Sequence, residues 1–331
     1  MRLVTDWAEC GPPGPGQVVI RTLCSALNHL DLWVGRGVPG LDLTYPRVSG
    51  SDACGVVEAV GEGVERSWLG KKVMLNAAMP VPEALRPGGS GPAGTPEYEV
   101  IGEHVHGTHA ERVGAPVANI AAIGDDQDPA EAAAYGLSFL TAYSMMVSKA
   151  GLRPGWAVLI TGIGGGVALS ALAIAKRWGC TAIVTSRSQA KIDRAKTLGA
   201  DFGVLDTGQD WSREVRGLTG KRGVDMAVDS SGKATHLHCI KSLARGGTYV
   251  TPGCTSGPDA TTDLARVFWN QLRILGSTMG TAADFAEVAA LFRAGALRPV
   301  VDGVYPAARA AEAFARLEAA EQFGKIVIRW A

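Results

Sequence analysis

The chain has 331 residues, 47% of them hydrophobic, which is enough for two domains that each bury a core. Its 32 lysine and arginine residues equal its 32 aspartate and glutamate residues, so the protein has no overall field that would gather nucleic acid or an anionic membrane surface. Composition and charge therefore indicate a globular protein and argue against polyanion binding, with a local basic pocket as the alternative left open.

The six cysteines are scattered without a CxxC pair or zinc-finger spacing, which predicts reduced thiols. The N-terminus lacks a basic start followed by an apolar segment, and no run reaches the ~18 uninterrupted apolar residues of a membrane helix. We therefore expect a cytoplasmic location with no membrane partner.

The first part of the chain, from Gln17 to Ala59, alternates β-rich runs such as VVIRTL and GVVEAV with turn clusters such as GPPGPG. This pattern predicts a β-barrel-like domain. The stretch from Met79 to Pro96 contains too many Pro and Gly residues for a helix and too few apolar residues for a buried strand. It is expected to form a surface lobe or loop.

After Asp128 the pattern changes to PAEAAAYGLSFLTAYSMMVSKAG, in which Pro129 suits a first helical turn and Gly151 a C-terminal cap. Strand-like runs (AVLITG, TAIVTS, DMAVDSSG, GGTYVTPG) then alternate with helical patterns (VALSALAIAKRWG, QAKIDRAKTLGA). The alternation predicts a parallel sheet covered on both faces. From Thr281 the tail predicts two helices and a last strand, KIVIRW, which we expect to close back onto the first domain.

A glycine-rich loop follows the run AVLIT and precedes a helical pattern. Such a loop lets the backbone approach a pyrophosphate while helix N-terminal amides point at it. The third glycine of the usual fingerprint is replaced by Val167, so the alternative is a glycine-rich turn of an unrelated sheet. The order of strand, loop, helix and second strand favours a dinucleotide site. The residues assigned to it are Gly162, Ile163, Gly164, Gly165, Gly166 and Val167.

The end of the second strand predicts which dinucleotide binds, because an acidic residue there would bond the ribose 2′-hydroxyl and repel a 2′-phosphate. The sequence has Ser186 and Arg187 at this place and Lys191 in the next helix, without a carboxylate. Hydroxyl and cationic donors suit a phosphate, so NADPH is favoured over NADH. The alternative is that the cations only solvate a helix start.

Together these motifs resemble the medium-chain dehydrogenase/reductase superfamily, and within it the zinc-free quinone oxidoreductase-like members. The resemblance covers nearly the whole chain through ALNHLDLWVGRG, GSDACGVVEAVGEGV, GIGGGV, GVDMAVDSSG, SLARGGTYVTPG, LRILGSTMGT and FGKIVI. It implies an α/β protein with an active site in an interdomain cleft. The implied parts are a GroES-like β-barrel domain (1–128), a Rossmann domain with a doubly wound parallel sheet (129–280) and a C-terminal return that completes the first domain (281–331).

The resemblance also locates three positions that hold zinc ligands in the metal-dependent members. Here they are occupied by Asn28, Ser51 and Leu137. Amide and hydroxyl oxygens are poor zinc ligands beside thiolate and imidazole, and leucine offers none, so no catalytic zinc is expected. The four-cysteine structural zinc lobe of relatives is also missing.

Further assignments rest on the resemblance alone. It implies that Thr141 meets the nicotinamide ribose and that Lys325 reaches the cofactor from the tail, and it places Ser230 and Gly253 in the cofactor site. The segment LRILGSTMG resembles the strand through which relatives pair, so a homodimer is expected. Relatives carry an additional N-terminal hairpin, so either the start is misassigned or one edge of the first domain is open.

Several residues near the vacated zinc positions have two interpretations. Trp33 and Leu137 are predicted to line the substrate pocket, as is Tyr135, although aromatic residues at such places are often plain core. Asp31 and Asp52 are either carboxylates left over from the surroundings of a zinc site or structural residues that fix a loop through backbone amides, and the structural role is expected. His29 is either a cation near the pyrophosphate or a structural hydrogen-bonding group. The cluster His104, His106 and His109 with Glu103 matches no common metal pattern and predicts solvated loop histidines.

Without a Lewis acid, oxidation of a simple alcohol is difficult, whereas hydride addition to a conjugated acceptor gives a delocalised oxyanion. We therefore predict an NADPH-dependent reductase of a quinone or an α,β-unsaturated carbonyl, a small-molecule substrate. Asn28 is the first candidate to orient the nicotinamide or acceptor and Ser51 the second, with solvent as the proton source. The alternatives are a zinc-type alcohol dehydrogenase and a non-catalytic NADPH-binding sensor.

Overall fold

A computed structural model describes residues 9–38, 40–82 and 97–330, which form two compact units. The described residues of 1–137 and 281–331 make up unit 1, and residues 138–280 make up unit 2. The first division therefore falls within a helix that begins at Pro129, nine residues beyond the predicted boundary at 128. The first half of this helix belongs to unit 1 because Tyr135 packs there and donates to the Val288 carbonyl.

The strands of the described residues are numbered in chain order. They are β1 (Gln17–Ala26), β2 (Asp52–Val60), β3 (Lys72–Leu75), β4 (Ala78–Pro80), β5 (Tyr98–Val100), β6 (Arg112–Pro116), β7 (Ile120–Ala122), β8 (Ala157–Ile160), β9 (Thr181–Ser186), β10 (Phe202–Leu205), β11 (Val224–Val228), β12 (Leu243–Thr251), β13 (Arg273–Gly276), β14 (Val301–Pro306) and β15 (Lys325–Arg329).

The helices are numbered in the same way. They are α1 (His29–Arg36), α2 (Pro129–Tyr143), α3 (Gly166–Arg177), α4 (Gln189–Thr197), α5 (Ser212–Leu218), α6 (His236–Ser242), α7 (Leu264–Trp269), α8 (Ala282–Arg293) and α9 (Ala310–Glu318). A π-helical segment, Ser144–Lys149, extends α2. Over the described ranges, none of these helices combines the length and apolar character that a bilayer crossing requires.

Unit 1 is built around β1, whose side chains are mostly buried along its length. In the described part of the unit the strand order is β14-β15-β1-β2-β3-β7, and β6 also pairs with β1. The C-terminal strand β15 runs antiparallel to β1 and so completes the sheet from the far end of the chain. Helix α9 packs on this edge, where Phe314 and Leu317 contact a cluster that includes Leu27 and Ile326.

Unit 2 contains the parallel sheet that the alternation of elements predicted. Its described strands lie in the order β10-β9-β8-β11-β12-β13, and every neighbouring pair is parallel. The first strand β8 (AVLI) is buried at every position, as expected for a sheet covered on both faces. This is the doubly wound order in which ligands bind at the carboxyl ends of strands, beside the point where the order reverses between β8 and β11.

Most predicted elements are present. Helix α2 starts at Pro129, and Gly151 follows its π-helical extension with φ of +69°, the left-handed geometry of a helix end. The Met79–Pro96 stretch begins in β4, which pairs with β5, and the rest of that predicted lobe, 83–96, lies outside the described residues, as does 1–8 with the question of the N-terminal hairpin.

Gly55 provides a test of the tight pairing between β1 and β2. A Cβ atom there would lie 2.3 Å from the Arg21 carbonyl oxygen and 2.5 Å from Ile20 Cγ2. We expect Gly55→Ala to destabilise the protein by about 1–3 kcal/mol through overpacking, measured by denaturant unfolding. The control is Gly114→Ala on β6, where a Cβ meets no atom within 4 Å. Equal stability of the two variants would contradict the described register.

Candidate active site and cofactor loop

Three polar side chains of unit 1 meet at the end of β1. Ala26, the last residue of β1, pairs with Asp52 on β2 and with Val327 on β15. Asn28 lies two residues after the end of β1 and is the N-cap residue of α1, and Lys325 is the first residue of β15. The antiparallel register thus brings together residues that lie far apart in the sequence.

The three side chains form one hydrogen-bonded network, here called the Lys-Asp-Asn network (Asn28, Asp52 and Lys325). The ammonium of Lys325 donates to Asp52 Oδ2 over 2.8 Å and to Asn28 Oδ1. The Asn28 amide nitrogen donates to the same Asp52 oxygen over 2.9 Å. The other oxygen, Oδ1, accepts from the Leu137 backbone amide over 2.7 Å. Every described partner of the carboxylate is therefore a donor.

Burial makes this network an internal charge pair. Asp52 is 0% exposed and Lys325 is 4% exposed, while Asn28 is half-buried. A buried charge is tolerated when a partner charge and hydrogen bonds replace the lost water, and removal of one partner costs about 3–5 kcal/mol. Lys325 therefore compensates Asp52. The prediction that Lys325 contacts the cofactor stays a prediction, and its described partners are Asp52 and Asn28.

A second network lies behind α1. Asp31 is buried and accepts from the backbone amides of Asn28 over 2.7 Å and Gly50 over 2.8 Å, as the sequence predicted for a loop-fixing carboxylate. His109 Nε2 lies 3.4 Å from Asp31 Oδ2, and its Nδ1 lies 2.9 Å from the Ser25 hydroxyl. The prediction that His109 is a solvated loop histidine is wrong, because its side chain is only 7% exposed.

The other members of the predicted histidine cluster serve local structure. His104 Nδ1 accepts from the Val100 amide over 3.0 Å, and His106 accepts from the Val48 amide over 3.3 Å. Burial raises the pKa of the Glu103 carboxyl from its usual value. Within the part of the chain that is described, no group of three or more His, Cys, Asp or Glu side chains is placed to hold a metal ion.

The residues at the three zinc-ligand positions do not fit a catalytic zinc. Ser51 is completely buried and donates its hydroxyl to the Ile101 carbonyl over 2.7 Å. Asn28 has its amide oxygen turned to an ammonium, and Leu137 contributes a backbone amide to Asp52. Zinc prefers thiolate, imidazole or carboxylate ligands, and the cation at this place is a lysine.

Two cysteines lie on the strands that carry the network. Cys24 and Cys54 are buried register partners on β1 and β2. Burial raises the pKa of the Cys54 thiol, and the nearby Cys24 raises it further. Burial also raises the pKa of the Cys24 thiol. Burial therefore favours the protonated thiol at both positions in the metal-free protein.

The two predicted catalytic residues differ in how their donors are used. The hydroxyl of Ser51 donates its hydrogen to the Ile101 carbonyl, so this hydrogen is not available to a substrate oxygen. The Asn28 amide nitrogen donates to Asp52 and, over a long 3.4 Å, to the Ala26 carbonyl, so Asn28 would have to release only this weaker contact to bind an acceptor. Both roles stay predictions.

The predicted pocket residues also differ. Trp33 is exposed on α1, and Leu137, in α2, is half-buried and belongs to unit 1. Tyr135 is fully buried, donates to the Val288 carbonyl over 2.8 Å and packs against Phe292 with ring centroids 4.9 Å apart. It is therefore plain core, the second of the two interpretations.

In unit 2 the glycine-rich loop has the geometry of an anion-binding turn. Gly162 and Gly164 have φ of +63° and +116°, a region in which other residues are strained. Helix α3 begins at Gly166 with Gly165 as its N-cap, so the free amides of its first turn face the loop. A Cβ at Gly165 would meet only the Gly162 oxygen, at 3.8 Å, which leaves open space. The residues present fit a dinucleotide phosphate.

Asp229, at the end of β11, holds this region together and was not found from the sequence. Its buried carboxylate accepts from Thr161 Oγ1 over 2.6 Å, from Thr235 Oγ1 over 2.8 Å and from the Tyr249 hydroxyl over 2.9 Å. Burial, with Asp229 next, raises the pKa of Tyr249, which keeps this hydroxyl protonated as a donor. The signal was available in DSSG, where a carboxylate ends a buried strand at the switch point.

The end of β9 carries the residues predicted to bind a 2′-phosphate. Ser186 is buried and its hydroxyl accepts from the Ser188 amide over 3.1 Å, whereas Arg187 is exposed. Lys191 lies in the first turn of α4, where Ser188 caps its amide. Asp206, after the paired strand β10, donates its backbone amide to the Ser186 carbonyl over 2.8 Å. The fold thus brings one carboxylate residue beside this place that the sequence order did not reveal.

Thr141 carries a buried hydroxyl that makes no hydrogen bond within the described residues. The residue is 4% exposed. Such a group is rare in a native core unless a ligand completes it. The other two assigned residues, Ser230 and Gly253, lie just after β11 and β12 at the carboxyl edge of the sheet, and the Ser230 carbonyl accepts from the Thr255 amide.

Comparison with known proteins agrees with both units. Residues 14–125 match the family described as alcohol dehydrogenase GroES-like domain, and residues 166–294 match the zinc-binding dehydrogenase family. A solved structure of an NAD-dependent alcohol dehydrogenase is 41% identical, with a TM-score of 0.88 over 98% of this chain and 95% of that one. A cobalt- and zinc-bound alcohol dehydrogenase from Pyrobaculum aerophilum is 30% identical, with a TM-score of 0.83 over 98% and 94%.

Among characterised sequences, the zinc-type alcohol dehydrogenase-like protein YogA of Leptosphaeria maculans is 28% identical over 96% of this chain and 91% of its own length. The chain belongs to the medium-chain dehydrogenase/reductase superfamily. The predicted fold class, a GroES-like domain with a Rossmann domain, is confirmed. The protein is an oxidoreductase of this superfamily, and the similar structures named above are alcohol dehydrogenases.

The substitution Thr141→Val tests whether the Thr141 hydroxyl forms a hydrogen bond with the cofactor. Because the hydroxyl has no protein partner, its replacement by an isosteric methyl should leave thermal stability unchanged or higher. If it bonds the cofactor, the Kd for NADPH, measured by fluorescence titration, should rise roughly 2- to 10-fold for one lost hydrogen bond. The matched control is Thr22→Val, another buried hydroxyl without a partner, on β1. An unchanged Kd in both variants would remove Thr141 from the cofactor site.

Proposed function

We propose that the protein is an NADPH-dependent reductase that transfers hydride, without a metal, to a quinone or an α,β-unsaturated carbonyl. The observation that carries the proposal is the Lys-Asp-Asn network. It places a buried lysine ammonium and its counter-carboxylate where a zinc-dependent enzyme would need thiolate and imidazole.

The chemistry follows from the donors available. An alkoxide formed from a simple alcohol needs strong charge stabilisation, which a zinc ion supplies as a Lewis acid. Hydride addition to a conjugated acceptor instead gives an oxyanion that is delocalised into the π system, and hydrogen-bond donors suffice for it. Asn28 is the half-buried member of the network and would orient the acceptor, with Trp33 and Leu137 in the pocket wall.

The bound dinucleotide supplies the hydride. The α3 amides and the loop from Gly162 to Val167 would hold its phosphates, and the open hydroxyl of Thr141 would bond the nicotinamide ribose. Ser186, Arg187 and Lys191 would favour a 2′-phosphate and hence NADPH. The Ser186 hydroxyl already accepts from Ser188, so the exposed guanidinium of Arg187 carries most of this preference.

A second candidate is an NAD-dependent alcohol dehydrogenase. The 41% identical structure bears that description, and Asp206 lies next to Ser186 across the β9–β10 pair. One observation weighs against the alcohol dehydrogenase. Asp206 Oδ1 accepts from the Gly208 amide over 3.0 Å, so this oxygen is bonded within the turn that follows β10. The vacated zinc positions also weigh against alcohol oxidation.

The test is oxidation of NADPH by chelator-treated protein with quinones, enones and simple aldehydes, with NADH in parallel. We expect turnover of quinones or enones, a higher kcat/KM with NADPH, and no response to added zinc. Turnover of aldehydes alone, restored by zinc, would establish the alcohol dehydrogenase instead. NADPH binding without turnover of any acceptor would leave a non-catalytic sensor.

We also propose that the protein forms a homodimer through the edge of unit 2. Helix α7 exposes three large apolar side chains, Leu264, Phe268 and Trp269, at 72%, 70% and 71%. It precedes β13, the strand at one edge of the described parallel sheet. An exposed apolar surface of this kind beside a free strand edge suits a self-complementary interface.

Trp269→Glu should convert the dimer to a monomer, because the carboxylate would be buried without a partner. Light scattering after gel filtration measures the mass. The control is Phe202→Glu on β10, at the opposite sheet edge, which should stay dimeric. A monomeric native protein, or equal masses for the two variants, would contradict this interface.

A further inference from the structure

We infer that Lys325 is a catalytic residue whose ammonium binds the oxygen that becomes negative when the acceptor is reduced. This inference rests on the proposed function and names the group that stabilises the charge. It differs from the cofactor contact that the family resemblance implies for the same residue. The argument begins from the unused donor of the Lys-Asp-Asn network.

A lysine ammonium has three N–H donors. Two of those on Lys325 are directed to Asp52 Oδ2 and Asn28 Oδ1. No third acceptor for this ammonium lies within hydrogen-bond distance in the described ranges. Since Lys325 is 4% exposed, water reaches it poorly, and a buried donor without an acceptor is a costly group unless a ligand completes it.

The network also orients this ammonium. Asp52 is fixed by the Leu137 amide at Oδ1, and Asn28 is fixed by Asp52 at its amide nitrogen. These contacts hold both acceptors of Lys325 in place, so little reorganisation is needed when charge develops near its third donor. Preorganised donors in a water-poor site are the main source of oxyanion stabilisation.

The carboxylates of Asp31 and Asp52 already have hydrogen-bond partners, and Lys325 supplies the positive charge of the network. The Asp31 carboxylate accepts from the backbone amides of Asn28 and Gly50, and its Oδ2 lies 3.4 Å from His109 Nε2. Asp52 is compensated by Lys325 itself. Binding of an anionic oxygen would therefore add a third acceptor to an ammonium that is already positioned, as a metal ion would accept one more ligand.

For an enone the step balances as follows. Two electrons and a hydrogen nucleus pass as hydride from the dihydronicotinamide dinucleotide to the β-carbon, and the oxidised dinucleotide remains. The carbon–carbon π bond shifts toward the carbonyl carbon, and the carbonyl π pair moves to oxygen, which gives an enolate. The third N–H of Lys325 bonds this oxygen. A proton from solvent then adds to the α-carbon and restores the carbonyl.

The experiment compares the native protein with the double variant Asp52→Asn/Lys325→Met. The double variant removes the ammonium together with its counter-charge, so that neither an unpaired buried carboxylate nor an unpaired buried ammonium is left to endanger folding. Lys325→Arg tests rescue by a conservative cation. Lys176→Met is the control, since it removes a lysine that pairs with Asp201 on unit 2.

Three quantities are measured for each variant. They are kcat with an enone that the native protein reduces, the Kd for NADPH, and the ionisation of bound 4-nitrophenol, whose phenolate mimics the enolate oxygen. We expect the double variant to lose about 10²- to 10³-fold in kcat relative to the native protein, as for removal of one oxyanion donor. Its Kd for NADPH should be unchanged, and bound 4-nitrophenol should lose the shift toward phenolate seen with the native protein. Lys325→Arg should retain both properties in part.

Two results would overturn the inference. Equal kcat and phenol ionisation in the native protein and the double variant would leave Lys325 a structural partner of Asp52. A weaker Kd for NADPH with unchanged phenol ionisation would make it a cofactor-binding residue. If the native protein reduces no enone or quinone, the proposed function fails, while the phenol and NADPH measurements still decide what Lys325 binds.

Discussion

The buried ion pair between Asp52 and Lys325 is the constraint on which the account of this protein depends. It joins the start of β2 to the start of β15, two strands that flank β1 and come from opposite ends of the chain. Unpaired, either charge would cost several kcal/mol in the interior. The pair therefore binds the C-terminal return to the first sheet and, through the same two side chains, sets the orientation of the Asn28 amide.

This arrangement explains how a superfamily known for zinc can present a different electrostatic site on the same fold. The positions that need soft ligands hold an amide, a hydroxyl bonded to a carbonyl and a leucine, and the positive charge comes from a side chain. Unit 2 keeps the features that a dinucleotide requires, namely positive-φ glycines, a helix N-terminus and strand ends fixed by Asp229. The proposed change of chemistry thus resides in unit 1.

The sequence predicted the parallel sheet and its flanking helices well, because buried strands such as β8 and amphipathic helices have strong periodic patterns. It missed β14, whose VDGVYP contains Gly and Pro and buries no residue fully. The Lys325–Asp52 contact spans 273 residues and could not be read from local spacing. His109 was misjudged because HVHGTH resembles a polar loop, whereas the chain folds it against Ser25 and Asp31.

The most direct measurement is the zinc content per chain, by elemental analysis, of protein expressed with excess zinc and then gel-filtered. A variant with Asn28→Cys, Ser51→His and Leu137→Cys, which restores soft ligands at the three positions, gives the reference for metal capture. The account predicts far less than one zinc per native chain, with turnover indifferent to chelation. One zinc per native chain, lost to a chelator together with turnover and regained on adding zinc, would contradict it.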